Sequence, residues 1–284
     1  MTVFNKWRSP RSRAPPVFAI VLTPVYLYVS LTALSETQYA DVAMALEIID
    51  IKTMFGTWPK RPLDLSADDL VRDLRQYDIG RALTTSSVAV LYDDELGNQD
   101  TLEQCRSRPG LIPAATMHPG DYLASENVIA SLKERGFRVF RFFNKLQGFS
   151  LDLYCFRRML ADLKQAEMPC IVDAVALEDP YRLARLSQDV DLDIICTSLG
   201  YSFEAEVIAL AQDFPRLYFD AGRLTGPDGI KLFCRHVGAH RLVWGSDYPF
   251  DAILPSRLLL EQAEITEADR EAIASGNIKE LLHL

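Results

Sequence analysis

Short apolar runs rich in β-branched residues recur from Leu46 onward, at about 46–51, 81–85, 111–117, 137–143, 170–175, 192–197, 216–220 and 241–245. Runs of this length, bounded by turn residues, predict strands. Amphipathic segments lie between them. Ser66-Ala67-Asp68-Asp69 reads as a capping box, followed by Leu70, Leu74 and Tyr77 at helical spacing. Leu153, Phe156, Leu160 and Leu163 form a second stripe. Thr266-Glu267-Ala268-Asp269 caps a late helix, which Gly276 is placed to stop. These stripes predict helix faces packed on a sheet. Eight strands alternating with helices predict an α/β fold of the (β/α)8 TIM-barrel class, whose usual length is about 250 residues. An open doubly wound sheet is the rival. Its first βα turn would carry a Gly-rich phosphate loop, whereas Lys52-Thr53-Met54-Phe55-Gly56 stands there.

The pattern breaks before Met44. Residues 1–43 hold Lys6, Arg8, Arg11 and Arg13, then an uncharged run from Val17 to Leu34 interrupted by Pro24. A basic start with an apolar run reads as a signal peptide or an anchor. A third reading is a mis-assigned start, with translation beginning at Met44. The barrel domain is expected over 44–284, and a membrane enters only if residues 17–34 are a real anchor.

The chain has 30 Lys+Arg against 39 Asp+Glu, a net charge of -9, which argues against a phosphate-backbone partner and so against nucleic acid. Cys105, Cys155, Cys170, Cys196 and Cys234 are scattered, with no CxxC; reduced thiols in a cytoplasmic protein are expected. Cys170 and Cys196 read as small apolar fillers within strands. No GxSxG elbow or Cys-His pair is visible.

In a barrel of this class, chemistry sits at the carboxyl ends of the strands. The polar residues predicted there are Asp50, Lys52 and Thr53, then Thr85, Ser86 and Ser87, then His118, then Arg141, Asn144 and Lys145. Asp173, Thr197 and Ser198, Asp220 and Arg223, and Ser246 and Asp247 complete the ring.

Arg241-Leu242-Val243-Trp244-Gly245-Ser246-Asp247-Tyr248-Pro249-Phe250 resembles the last-strand signature of the amidohydrolase-related family, metal-dependent hydrolases of the amidohydrolase superfamily. Ile48-Ile49-Asp50 resembles the family's opening strand, and Arg108-Pro109-Gly110-Leu111-Ile112-Pro113 the run before its third. Gly136-Phe137-Arg138 and Gly276-Asn277-Ile278-Lys279-Glu280-Leu281-Leu282 fall in the family's order as well. The resemblance spans about residues 46–284.

The resemblance implies a His-x-His pair after the first strand, a His after the fifth, a His after the sixth and an Asp after the eighth. Here those positions carry Lys52 and Met54, Asp173, Ser198, and Asp247. Only the last is kept. A thioether, an ammonium and a hydroxyl do not replace imidazoles around a divalent ion. No cofactor is therefore expected, although a weak, hydrated divalent metal on Asp247 and Asp173 stays open. His236 and His240 precede the last strand, and His283 lies in the closing helix. His118 alone sits at the functional end.

The expected function is a hydrolase for a small anionic carbonyl compound, a lactone, ester or amide, with no tightly bound metal. Asp247 is the expected general base and Lys52 the substrate or oxyanion anchor. His118, Arg141, Asn144, Asp173, Ser198 and Arg223 are the expected substrate-binding residues. A homo-oligomer is compatible with this reading. The alternative is a non-catalytic barrel that binds a small molecule or serves as a partner subunit, with Lys52 and Asp247 as a charge pair only.

Overall fold

The β-branched runs form strands because their side chains fit a pleated surface buried on both faces, as parallel sheets require. The structure, a computed structural model, describes residues 46–59, 61–176, 178–199 and 204–284. The expected leader over 1–43 lies outside the described residues.

Nine strands make one sheet: β1 (Ile49–Trp58), β2 (Leu63–Leu65), β3 (Arg81–Ser86), β4 (Leu111–Ala115), β5 (Val139–Phe142), β6 (Cys170–Asp173), β7 (Ile194–Thr197), β8 (Leu217–Asp220) and β9 (Leu242–Val243). From β1 and β3 through β9 the neighbours pair in parallel and in chain order. The Ile51 amide donates to the Trp244 carbonyl at 3.1 Å, which joins the first strand to the end of the last and closes the barrel. The eight expected strands are these eight, most of them trimmed at their ends.

The ninth strand is a departure. β2 pairs antiparallel with the far end of β1, Gly56 opposite Leu65 and Trp58 opposite Leu63. β1 therefore runs seven residues past its expected end at Ile51. Its first half is the barrel stave and its second half the arm of a hairpin.

β1 also carries a bulge. Asp50 pairs with Ala82 and Thr53 with Thr84, so three steps on β1 match two on β3. An extra residue kinks a strand and re-aims the side chains that follow. Ile49 and Ile51 point into the barrel interior, packed with Leu83, Ile112, Val139, Ile171, Ile195 and Val243. After the bulge, Lys52 also turns inward, toward the barrel mouth. Ile278 and Leu282 of the closing helix join the same interior cluster.

A second core lies between sheet and helices. It holds Phe140, Phe142, Phe156, Met159, Leu160, Leu163, Cys170 and Cys196, all with no exposed surface. Each such side chain contributes about 1.5–3 kcal/mol by leaving water. The predicted caps form: Ser66 accepts from the Asp69 amide at 3.1 Å ahead of helix Ala67–Arg75, and Thr266 from the Asp269 amide at 3.1 Å ahead of Glu267–Glu271.

Gly276 does not stop its helix, contrary to expectation. The chain passes through a π-turn at Ala272–Gly276 straight into Asn277–Leu282, and Gly276 keeps φ at -58°. Asn277 explains the continuation: its side-chain amide donates to the Ala239 and Leu242 carbonyls at 2.8 and 2.6 Å, tying the wider turn to the start of β9. Among the described residues no helix is long and apolar enough to cross a membrane.

Candidate active site

The site is built from strand ends. Asp50, fully buried in β1, accepts from the Lys52 amide at 2.9 Å, from the Ser246 amide at 3.0 Å, and from the Ser246 hydroxyl. Burial pushes the Asp50 carboxyl above its ordinary range, and the Ser246 hydrogen bonds act in the opposite direction. This clasp fixes Lys52 and the turn carrying Asp247 to one point.

Lys52 has a side chain of zero exposure. Its ammonium donates to the Ser198 hydroxyl at 2.7 Å and pairs with Asp247 Oδ1 at 3.1 Å. Arg223 donates to the other Asp247 oxygen and reaches Asp251 at 2.6 Å. Asp247 thus lies between two cations and keeps 15% of its side chain exposed, against 28% for Arg223. Ser198 and Asp247 hold φ at 61° and 64°. Left-handed backbone is uncommon for a residue with a Cβ, and it concentrates where a site is held in shape. The Asp247 carbonyl accepts from the amides of Phe250 and Asp251 at 2.8 and 3.1 Å, which holds that shape.

Asp220, at the end of β8, was not among the expected site residues, although it stands in the ring of strand-end polar groups. It is fully buried, and its Oδ1 accepts from the amides of Gly222 and Gly245 at 2.9 and 3.1 Å. Burial pushes its carboxyl up to about 6, while the charges of Lys52 and Arg223 pull it down. Its place at the end of β8 was the available signal; Gly245 is required by Lys52 and Ile51, which a Cβ there would meet at 2.9 and 3.1 Å.

Of the expected residues, Lys52, Ser198, Arg223 and Asp247 come together in one network. Asp173 accepts from the Thr197 hydroxyl at 2.7 Å, one residue from Ser198. Arg141 is buried; it donates to the Thr53 carbonyl at 2.9 Å and stacks on Phe143, 4.5 Å from the ring centre. It braces the bulged strand.

His118 and Asn144 make local bonds instead. His118 Nδ1 accepts from the Gly120 amide at 3.0 Å and caps the turn after β4. Asn144 donates to Asp179 at 3.1 Å and accepts from the Lys145 amide at 2.8 Å. Among the described residues, no hydrogen bond or ion pair joins either to the Lys52 network.

The geometry defines a TIM-barrel protein with a charged site at the strand ends. The amidohydrolase family profile (Amidohydro_2) matches residues 50–284, and the chain belongs to that family. Solved structures share the fold at low identity. 2,6-Dihydroxybenzoate decarboxylase in complex with 2,6-dihydroxybenzoate is 15% identical, with a TM-score of 0.68, covering 84% of this chain and 99% of that one. A dihydroxybenzoic acid decarboxylase from Polaromonas sp. JS666, with bound manganese and the inhibitor 2-nitroresorcinol, is 18% identical, with a TM-score of 0.67, covering 84% and 97%. A putative 2-pyrone-4,6-dicarboxylic acid hydrolase from Pseudomonas putida is 18% identical, with a TM-score of 0.65, covering 84% and 98%. A search of the curated proteins finds no match.

Among the described residues, the groups around Lys52 do not fit a divalent cation. An ammonium has no lone pair to offer, and Lys52 places one against both Ser198 and Asp247. Met54 packs in an apolar cluster with Trp58, Val90 and Phe143. Among the described residues, no three His, Cys, Asp or Glu side chains converge as a metal group.

Proposed function

We propose that this amidohydrolase-family barrel hydrolyses a small anionic carbonyl compound without a tightly bound metal, with Asp247 as the general base. The observation that supports this is the placement of Asp247: clamped on both oxygens by Lys52 and Arg223, yet still partly open at the barrel mouth. A carboxylate oxygen has lone pairs beyond those given to its cations, so Asp247 can accept a proton from water. The water oxygen then bonds to the carbonyl carbon, and the π pair moves to the carbonyl oxygen. Collapse of that adduct breaks the bond to the leaving alkoxide or amine, which takes the proton back from Asp247. The anchoring role expected of Lys52 passes to Arg223, the cation with exposed surface. Lys52, enclosed, orients Asp247. The decarboxylase and the pyrone hydrolase that share the fold are named for carboxylate-bearing compounds, which agrees with a partly exposed arginine at the mouth.

The test is a screen of lactones, esters and amides bearing a carboxylate, followed by Asp247→Asn on any hit. Loss of a general base lowers the rate by about 10²–10⁴-fold. A hit that Asp247→Asn leaves unchanged overturns the assignment. Carbon dioxide release in place of hydrolysis moves the chain to the side of its decarboxylating neighbours.

A second reading, a binding barrel without chemistry, is favoured by one observation: Lys52, Ser198, Asp247 and Arg223 satisfy one another in a single network. Carboxylate binding by the wild type with no turnover in the same screen selects it.

A further inference from the structure

Asp220 is a second carboxylate facing Lys52, and its Oδ2 is buried with no hydrogen-bond partner among the described residues. A buried carboxylate oxygen left unpaired is costly, so each instance calls for an explanation. Gly245 fixes how the two side chains lie. A Cβ built there would sit 2.9 Å from Lys52 Cβ and 3.5 Å from Asp220 Oδ1. Lys52 and Asp220 therefore flank one glycine, which puts no side chain of its own between them. Lysine carries its ammonium on a flexible four-carbon stem. Rotation about that stem takes the charge from the Asp247 side of the glycine to the Asp220 side.

We propose that Asp220 is a positioning residue of the site: it is the alternative partner of Lys52, whose ammonium leaves Asp247 and Ser198 for Asp220 Oδ2 when Asp220 is ionised. The arrangement seen is the one in which Asp220 holds a proton, in keeping with a carboxyl that burial raises to about 6. The charged groups facing it are Lys52 from β1, Arg223 from the turn after β8, and Asp247 from the turn after β9. The Cys196 thiol of β7 also lies within range of its charge. Ionisation adds a second carboxylate to this group and divides Lys52 between two partners.

The consequence for the site rests on Asp247 being the base. With Lys52 on Asp220, Asp247 keeps only Arg223, and Oδ1 is free to take the proton of water. Turnover then rises as Asp220 ionises, and Asp220 acts on the reaction through Lys52 without touching the substrate.

The experiment needs no substrate. A double-mutant cycle of Lys52→Met and Asp247→Asn, read by urea unfolding, gives the Lys52–Asp247 coupling, and is run near pH 5 and near pH 8. In the native background the coupling is expected to be about tenfold stronger, as an equilibrium constant, at the lower pH; with Asp220→Asn it is expected to be equal at both. A coupling independent of pH in the native background overturns the proposal, and so does the same fall with Asp220→Asn present. Where a variant does not fold, carbon-13 NMR of the wild-type carboxylates decides: the Asp247 side-chain resonance is expected to move at the Asp220 midpoint, and its failure to do so overturns the proposal. None of these outcomes depends on hydrolysis, so a failed substrate screen and a failed coupling test are separate results.

Discussion

Ser246 gives both its amide and its hydroxyl to Asp50, so that one side chain of the first strand holds the end of the last. The bonds are fully buried, where a charged acceptor is worth most and an abandoned donor costs most. Ser246→Ala removes the hydroxyl bond and keeps the amide bond; a loss of about 1.5–3 kcal/mol is expected. Asp50→Ala strands three donors, the amides of Lys52 and Ser246 and the Ser246 hydroxyl, and should cost more than the first change. Urea unfolding of the two variants checks the order. Equal losses would show that the clasp is not what holds the seam.

The clasp also marks how far the sequence could be read. The eight staves were legible because each is a short apolar run between turn residues, and sheet burial on both faces demands such runs. β2 was not legible, since Leu63-Asp64-Leu65 is too short to show a period and stands beside Pro59 and Pro62. Lys52, Ser198, Arg223 and Asp247 were found because strand ends can be counted and each carries a charge or a hydroxyl. Their mutual arrangement was not, because it depends on the bulge between Asp50 and Thr53, which no residue type announces. That bulge turns Lys52 inward, where its side chain is enclosed. His118 and Asn144 were expected at the site from their positions alone. Capping and loop bonds, which depend on backbone donors one or two residues away, hold them instead.

Asp220 makes stability depend on pH in an unusual direction. Its carboxyl lies at about 6 in the folded chain against 3.8 as the ordinary value. Between those values the native state binds the proton and the unfolded state does not, so stability falls as pH rises through this range. The full difference is worth about 3 kcal/mol at neutral pH. Asp220→Asn keeps an oxygen for the Gly222 and Gly245 amides and removes the titration. On going from pH 7 to pH 4 the wild type is expected to gain about 2 kcal/mol relative to this variant, most of the full difference. Unfolding curves at the two pH values measure it; a constant difference means that Asp220 does not titrate in this window.

Metal content follows from the donor set. With the Lys52 ammonium against Ser198 and Asp247, a divalent ion meets a cation at 3.1 Å from the remaining family carboxylate. Protein dialysed against a chelator is expected to hold less than one equivalent of zinc or manganese and to unfold at an unchanged temperature. Elemental analysis and a thermal scan test both points. A full equivalent that survives dialysis overturns the metal-independent reading.

Lys52 and Asp247 allow a sharper test of whether the pair exists for stability. Lys52→Met takes the enclosed ammonium from Asp247, which keeps Arg223 as its remaining cation. Breaking a buried pair typically costs about 3–5 kcal/mol, and the retained arginine places this case at the low end. Lys52→Met with Asp247→Leu removes both members of the pair, and leaves Arg223 with Asp251 alone. Arg223 is partly exposed, so water compensates it cheaply. The double variant is therefore expected to recover most of the loss. Two additive single changes would show that the residues are energetically independent despite their 3.1 Å contact. If the double variant is as stable as the wild type, the pair adds nothing to the fold, and the charge at the barrel mouth is kept for what the site binds or does.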